Sequence, residues 1–351
     1  MSKIKAFAEF DFTPIEPHQI VEIYESGFMG AMPESNLTAA FARFGANSFY
    51  DAFPAAKGIH KEMEYCFPVR ACQVLLDPDF YADRSEAQRE GNCVGTMIRN
   101  QGMVDGCMDA LFGETEWPKG PDGKGLWYCS EPIYGERGHG GEGANCWRLW
   151  NAVSPDGGAG FLHRGKYGRY DLTKYTTIGG QWGSRGTPQE ILDLCDDNPA
   201  FDQFKIRSIE EALDALTLGF GLGRCGSDGY SSKRNEDGLS EATTSWNHAI
   251  AVGGYVREQR ILDKYGGPIF LYGHNWSLWN SGPKPWEISD GSWFVRQRQL
   301  ESRIKAGECC AIAGLPGKNR KLVFERLMER REESVKKELM KWQSTHVSQS
   351  A

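Results

Sequence analysis

No run of about 18 consecutive apolar residues occurs in the 351-residue chain, so no segment reads as a membrane-crossing helix. The opening segment, MSKIKAFAEFDFTPIEP, has no long apolar core of the secretory kind, and synthesis and residence in a cytoplasm are the expectation. Excess positive charge is missing as well. The 40 Lys and Arg stand against 47 Asp and Glu, a net charge of −7 that offers phosphate backbones no general attraction and sets nucleic acid aside. No CxxC pair and no HExxH occurs, which removes the zinc-ribbon and zincin patterns. A metal set assembled from distant residues, such as Cys129, His139 and Cys146, stays a minor alternative. No period of 20 to 50 residues is visible, so a repeat array is excluded too.

What is present is glycine, tryptophan and cysteine. The 42 Gly and 11 Trp suit a loop-rich α+β protein better than a helical bundle. The ten Cys, in a chain read as cytoplasmic, are expected to be reduced thiols. The chain divides into an N-terminal extension packed on the rest (1–64), a main domain (65–316), and a C-terminal helix and tail (317–351). In that last part Phe324, Met328, Val335, Leu339 and Trp342 share one face of an amphipathic helix, which could pack on its own domain or on a protein partner.

Within the main domain, PVRACQVLLDPDF reads as a helix or strand with a DPD stop. In NCVGTMIRNQGMVDGCMDALF, Asn92 serves as N-cap, Cys93 opens a helix, and Met97, Val104, Met108 and Leu111 fall on one side. Glycines at 95, 102 and 106 lower helix propensity, a cost of about 1 kcal/mol each that close packing of a buried helix would justify. GERGHGGEGANCW is a loop ending in a helix. Ser208 caps a short helix with Glu210 and Glu211 in its first turn, leading into a strand. WNHAIAVGGYVRE, PIFLYGHNWS and GSWFVRQRQL then read as strands, antiparallel if joined as hairpins.

A thiol is a nucleophile only as thiolate, and the first turn of a helix favours that anion through its unpaired N–H groups. Cys93 occupies such a position. Among seven histidines, His248 at the head of an apolar strand is the best base. It lies about as far before the hairpin connection as Asn275 lies after it, so the amide oxygen of Asn275 could accept the second imidazole N–H and orient the ring. Each residue alone has a bland reading, as a buried cysteine, a core histidine and a turn asparagine.

In the order Cys, His, Asn, with GNCVG opening a helix, NHAIAVGGY on a strand, HNWSLWNSG after the next and GSWFV beyond, residues 65 to 315 resemble the papain-like cysteine peptidase superfamily, most nearly its divergent members in bacteria and their phages. The resemblance implies a two-lobed α+β fold: a helical lobe led by the Cys93 helix, and an antiparallel β-rich lobe bearing His248 and Asn275. It implies a peptide or protein substrate, an acyl-enzyme intermediate and no cofactor. Gln88, five residues before Cys93 where the family has six, would complete an oxyanion hole with the backbone N–H of Cys93. Trp246, Trp276 and Trp279 would line the cleft, Trp276 or Trp279 shielding Asn275. The sequence has CVGT where the family has CWAF, and Asn275-Trp276-Ser277 where it has NSWG.

Two other functions compete. A papain fold kept as a structural or interaction protein, for instance a virion component, fits the altered motifs and the C-terminal helix. A peptidoglycan amidase or transglutaminase-like enzyme shares the Cys-then-His order, but Asn275 in third place speaks against it. The first 60 residues show no strong charged helical pair of the inhibitory kind, so no zymogen cleavage is expected.

Overall fold

The computed structural model describes residues 48–111, 116–154, 157–195, 203–243, 247–275 and 281–312. The amphipathic C-terminal helix, Trp246, Trp276 and Trp279 lie outside the described residues. Among those described, no helix is long and apolar enough to cross a membrane.

Nine strands occur among the described residues: β1 (Tyr65–Cys66), β2 (Lys166–Tyr167), β3 (Tyr170–Asp171), β4 (Gln203–Lys205), β5 (Gly221–Gly226), β6 (His248–Val256), β7 (Ile269–Gly273), β8 (Ser292–Arg296) and β9 (Cys309–Ile312). Seven form one antiparallel sheet in the order β4-β9-β5-β6-β7-β8, with β1 paired to β6; β2 and β3 form a separate ribbon. Strand β6 is buried along its whole length because it carries neighbours on both edges and packing on both faces. This explains its near-continuous apolar run where a half-exposed strand would alternate.

The helices that matter for the site are α1 (Phe49–Ala52), α2 (Arg70–Leu75), α3 (Cys93–Leu111), α4 (Glu131–Gly135), α5 (Cys146–Ala152) and α6 (Ile209–Thr217). The DPD stretch follows a helix, α2. Ser208 caps α6 as its sequence implies, its hydroxyl accepting the Glu211 N–H at 3.1 Å. Phe49 of α1 is fully buried in the core, edge-on to Phe204 and Phe220.

Helix α3 is more deeply buried than a one-sided apolar stripe implies: every residue from Cys93 to Asp109 is inside. Small residues let it approach the sheet. A Cβ on Gly221 of β5 would collide with the backbone of Gln101, and one on Gly102 with the ring of Phe161. Gln101 then ties helix to sheet: its amide donates to the carbonyls of Cys310 (2.9 Å) and Gly221 (3.2 Å), and its oxygen accepts the indole N–H of Trp150 (2.8 Å). At the other end the Asn92 carbonyl accepts the Thr96 N–H at 2.9 Å, and the Asn92 amide donates to Ser130 at 3.0 Å.

The cysteines depart from the all-reduced expectation. Cys146 of α5 and Cys225 of β5 form a disulfide, while the other eight are buried thiols. Two distant segments that pack on α3 bring these sulfurs together, a proximity that no local spacing announces. Cys146 is thereby committed to Cys225 and not to a metal set with Cys129 and His139.

Candidate active site

Cys93 and the head of β6 meet where α3 begins. Ala249, one residue after His248, brings its N–H near enough to the Cys93 sulfur to favour the thiolate. Burial pushes the Cys93 thiol up to about 12, against the opposing pull of that N–H, the Arg224 guanidinium and the N–H groups of Val94 and Cys93 itself. His248 is held well below its ordinary value, by burial first and then by the neighbouring His274 and Arg224 charges. Both side chains are fully buried. Burial thus favours a neutral thiol and a neutral imidazole, because removal from solvent penalises the thiolate–imidazolium pair.

The third expected member goes elsewhere. The Asn275 oxygen accepts from Arg99 (2.7 Å) and Asn100 (2.8 Å) of α3, and its amide donates to the Phe80 carbonyl (2.7 Å). The residue whose ring meets His248 is His274, with centroids 4.6 Å apart and planes at 44°.

Strand register explains the difference. Counting equal distances from the connection sets Asn275 opposite His248, but a bulge between Val252 and Gly254 shifts the ladder, and beyond it Ala251 pairs with Gly273. Continuing that register places His274 opposite Ile250 and Asn275 opposite Ala249. The backbone stays extended, His274 N–H donating to the Gly291 carbonyl at 3.1 Å. Successive side chains alternate between faces, so His274 shares a face with Ile250 and His248, and Asn275 takes the other.

Asn275 is instead one end of a buried charged strut. Arg99 also binds Glu86 (2.6 Å); Glu86 binds Arg164 (2.6 Å), and Arg164 binds Glu131 of α4 (2.8 Å). Two cations and two anions balance, which makes their burial tolerable. The Asn275 carbonyl also accepts the Gln88 N–H at 2.9 Å, bringing the expected oxyanion donor's backbone beside this network. The Gln88 side-chain amide itself donates to the Glu90 carbonyl at 2.5 Å.

Sequence reasoning missed Arg224, His274 and the strut. Arg224 is buried on β5, over the rings of Tyr272 (5.0 Å) and Tyr230 (5.6 Å). A lone arginine in GLGRCG carries no local signal of this. His274 was within view in HNWS, and the Gly253-Gly254 pair of β6, where a bulge can shift the register by one, was the signal that could have singled it out.

No family model matches the sequence, and no curated protein does. Among solved structures the chain is similar to xylellain, a cysteine protease from Xylella fastidiosa, at 13% identity and a TM-score of 0.51, covering 85% of this chain and all of that one. Lesser likenesses are a procathepsin B from Trypanosoma congolense (12%, TM-score 0.41, 73% of this chain and 78% of that) and the proform of the ragweed pollen allergen Amb a 11, also a cysteine protease (11%, TM-score 0.46, 82% and 77%). The chain has the papain-like α+β fold. The likeness lies in the fold and hardly in the sequence, and the match to xylellain spans the whole of that chain.

Proposed function

We propose that this protein is a papain-like cysteine hydrolase that cleaves peptide or amide bonds, with Cys93 as nucleophile and His248 as base. The observation that carries the reading is the position of Cys93 at the first turn of the buried helix α3, which packs on β6, the strand that His248 opens. On this reading His248 takes the thiol proton as the Cys93 sulfur bonds to the substrate carbonyl carbon. The C–N bond then breaks, and His248 returns the proton to the leaving amine. Water, losing a proton to His248, attacks the thioester; the S–C bond breaks, and carboxylate and thiol are left. The backbone N–H of Cys93, and the Gln88 amide once released from the Glu90 carbonyl, would bind the oxyanion. A substrate carbonyl reaches the buried sulfur only when the covering residues move aside. Water admitted by the same motion would lower the cost of the ion pair.

One observation favours a second reading, a papain fold used for structure or binding: neither Cys93 nor His248 has solvent access here. Incubation with a mixed peptide pool, read by mass spectrometry, separates the two. Hydrolysis products that vanish in both Cys93→Ala and His248→Ala support the enzyme. Products unchanged in both variants, or none from the native protein, favour the non-catalytic reading.

A further inference from the structure

The disulfide between Cys146 and Cys225 has no part in the proposed chemistry, yet it stands at the Cys93 end of α3. Gly221 and Gly223 mark the face of β5 on which α3 lies: a Cβ on the first would meet the Gln101 backbone, and one on the second the Met97 sulfur. Two residues of strand and four of helix each advance about 6 to 7 Å, so the next step along this face sets Cys225 level with Cys93. The ladder agrees, because Cys225 pairs with Ala249, whose N–H lies near the Cys93 sulfur.

The loop 136–145, which leads into Cys146, closes on the chain just before Cys93. Glu142 accepts the Gly91 N–H, and a Cβ on Gly91 would collide with the backbone nitrogen of Gly143. The loop therefore runs from two residues ahead of Cys93 to the strand level with it, with Gly138, Gly140, Gly141 and Glu142 exposed and Cys93 fully buried. Four glycines in its ten residues give it the backbone freedom to lift. Other ties of the loop are hydrogen bonds, such as those from Arg137 to the carbonyls of Gly141 (2.9 Å), Gly179 (2.8 Å) and Gly180 (2.6 Å), and from Arg148 to the Glu136 carbonyl (2.7 Å). The disulfide is covalent, and while it is intact α5 and β5 cannot part beside Cys93. We propose that loop 136–145 is a lid over Cys93 and that the Cys146–Cys225 disulfide is its redox-sensitive latch, opened by a dithiol. Cys146 and Cys225 each keep 5% of their surface exposed, where Cys93 keeps none, so a reductant meets the latch first. A thiolate of the dithiol attacks one sulfur of the disulfide, the S–S bond breaks, and the other cysteine leaves as a thiolate and takes up a proton. The second thiol of the reagent then displaces the bound cysteine; the dithiol departs as a disulfide and both cysteines are thiols.

Iodoacetamide alkylation of each cysteine at one fixed pH, read by peptide mass spectrometry, tests the latch. Native protein is compared as isolated and after dithiothreitol has been applied and removed, with peptide mapping to show that Cys146 and Cys225 have become thiols. Cys146→Ser and Cys225→Ser are alkylated without reductant. The expected result is a Cys93 rate raised about tenfold or more by reduction, as a freed lid opens more often, and equally raised in both variants, with Cys66, Cys309 and Cys310 slow throughout. An unchanged Cys93 rate in reduced native protein overturns the latch. A rise shared by Cys66, Cys309 and Cys310 overturns it too, because it marks a general loosening of the fold; the native arm decides alone where a serine variant does not fold. What the lid controls rests on the reading of Cys93 as nucleophile. Failure of that reading shows separately, as protein whose Cys93 is opened by reduction and still yields no peptide hydrolysis.

Discussion

At the scale of the residue, the site is a set of groups kept neutral or paired by burial. Glu90, three residues before Cys93, illustrates the cost. Burial, then the Glu142 carboxylate, pushes its carboxyl up to about 8, with Arg137 opposing. The folded state therefore binds a proton that the unfolded state releases near 4.5, and the stability due to Glu90 is lost as pH rises from there through about 8. Glu90→Gln, which cannot ionise, is expected to gain in melting temperature over the native protein progressively between pH 5 and 8. Thermal unfolding at several pH values checks this; a difference independent of pH would contradict it. The residues legible in sequence were those with a local signature, Cys93 at a helix start and His248 at a strand start. Asn275 was read as the third member of the site, but its partners Arg99 and Asn100 lie about 175 residues away in sequence, a separation at which no spacing argument operates.

At the scale of the element, helix α3 and the hairpin of β6 and β7 were readable because each carries its own chemistry: an N-cap candidate, a change of period, and a Gly-Gly-Pro connection. Their mutual fit was not readable. The bulge between Val252 and Gly254 changes the register by one residue, and one residue exchanges His274 for Asn275 on the face that meets His248. A Gly-Gly pair within a strand is the sort of place where a bulge forms, so the sequence marked where the count could slip without saying that it did. The approach of α3 to the sheet depends likewise on glycine. Gly221→Ala should destabilise the fold by about 2 kcal/mol through overpacking against the Gln101 backbone. Urea unfolding measures this, and a stability change near zero would mean that the helix can retreat from β5 without loss.

At the scale of the whole molecule, composition and motif order led to the α+β papain-like class, and the fold agrees, with xylellain spanned over its full length. The Cys146–Cys225 disulfide was not legible: it links residues 79 apart on a helix and a strand that meet only after folding. It also anchors β5, the strand that carries Arg224, to α5. The function rests finally on whether Cys93 and His248 act as a pair once solvent or substrate reaches them. The most direct measurement is the rate of iodoacetamide alkylation at Cys93 against pH, read by peptide mass spectrometry, in native protein and in His248→Ala. The account predicts that burial makes alkylation of Cys93 slow overall, that molecules whose site has opened react below the pH at which an ordinary thiol of pKa about 8.5 does, and that His248→Ala abolishes this acid-side component. A pH profile that is the same in both proteins and follows an ordinary thiol would contradict it.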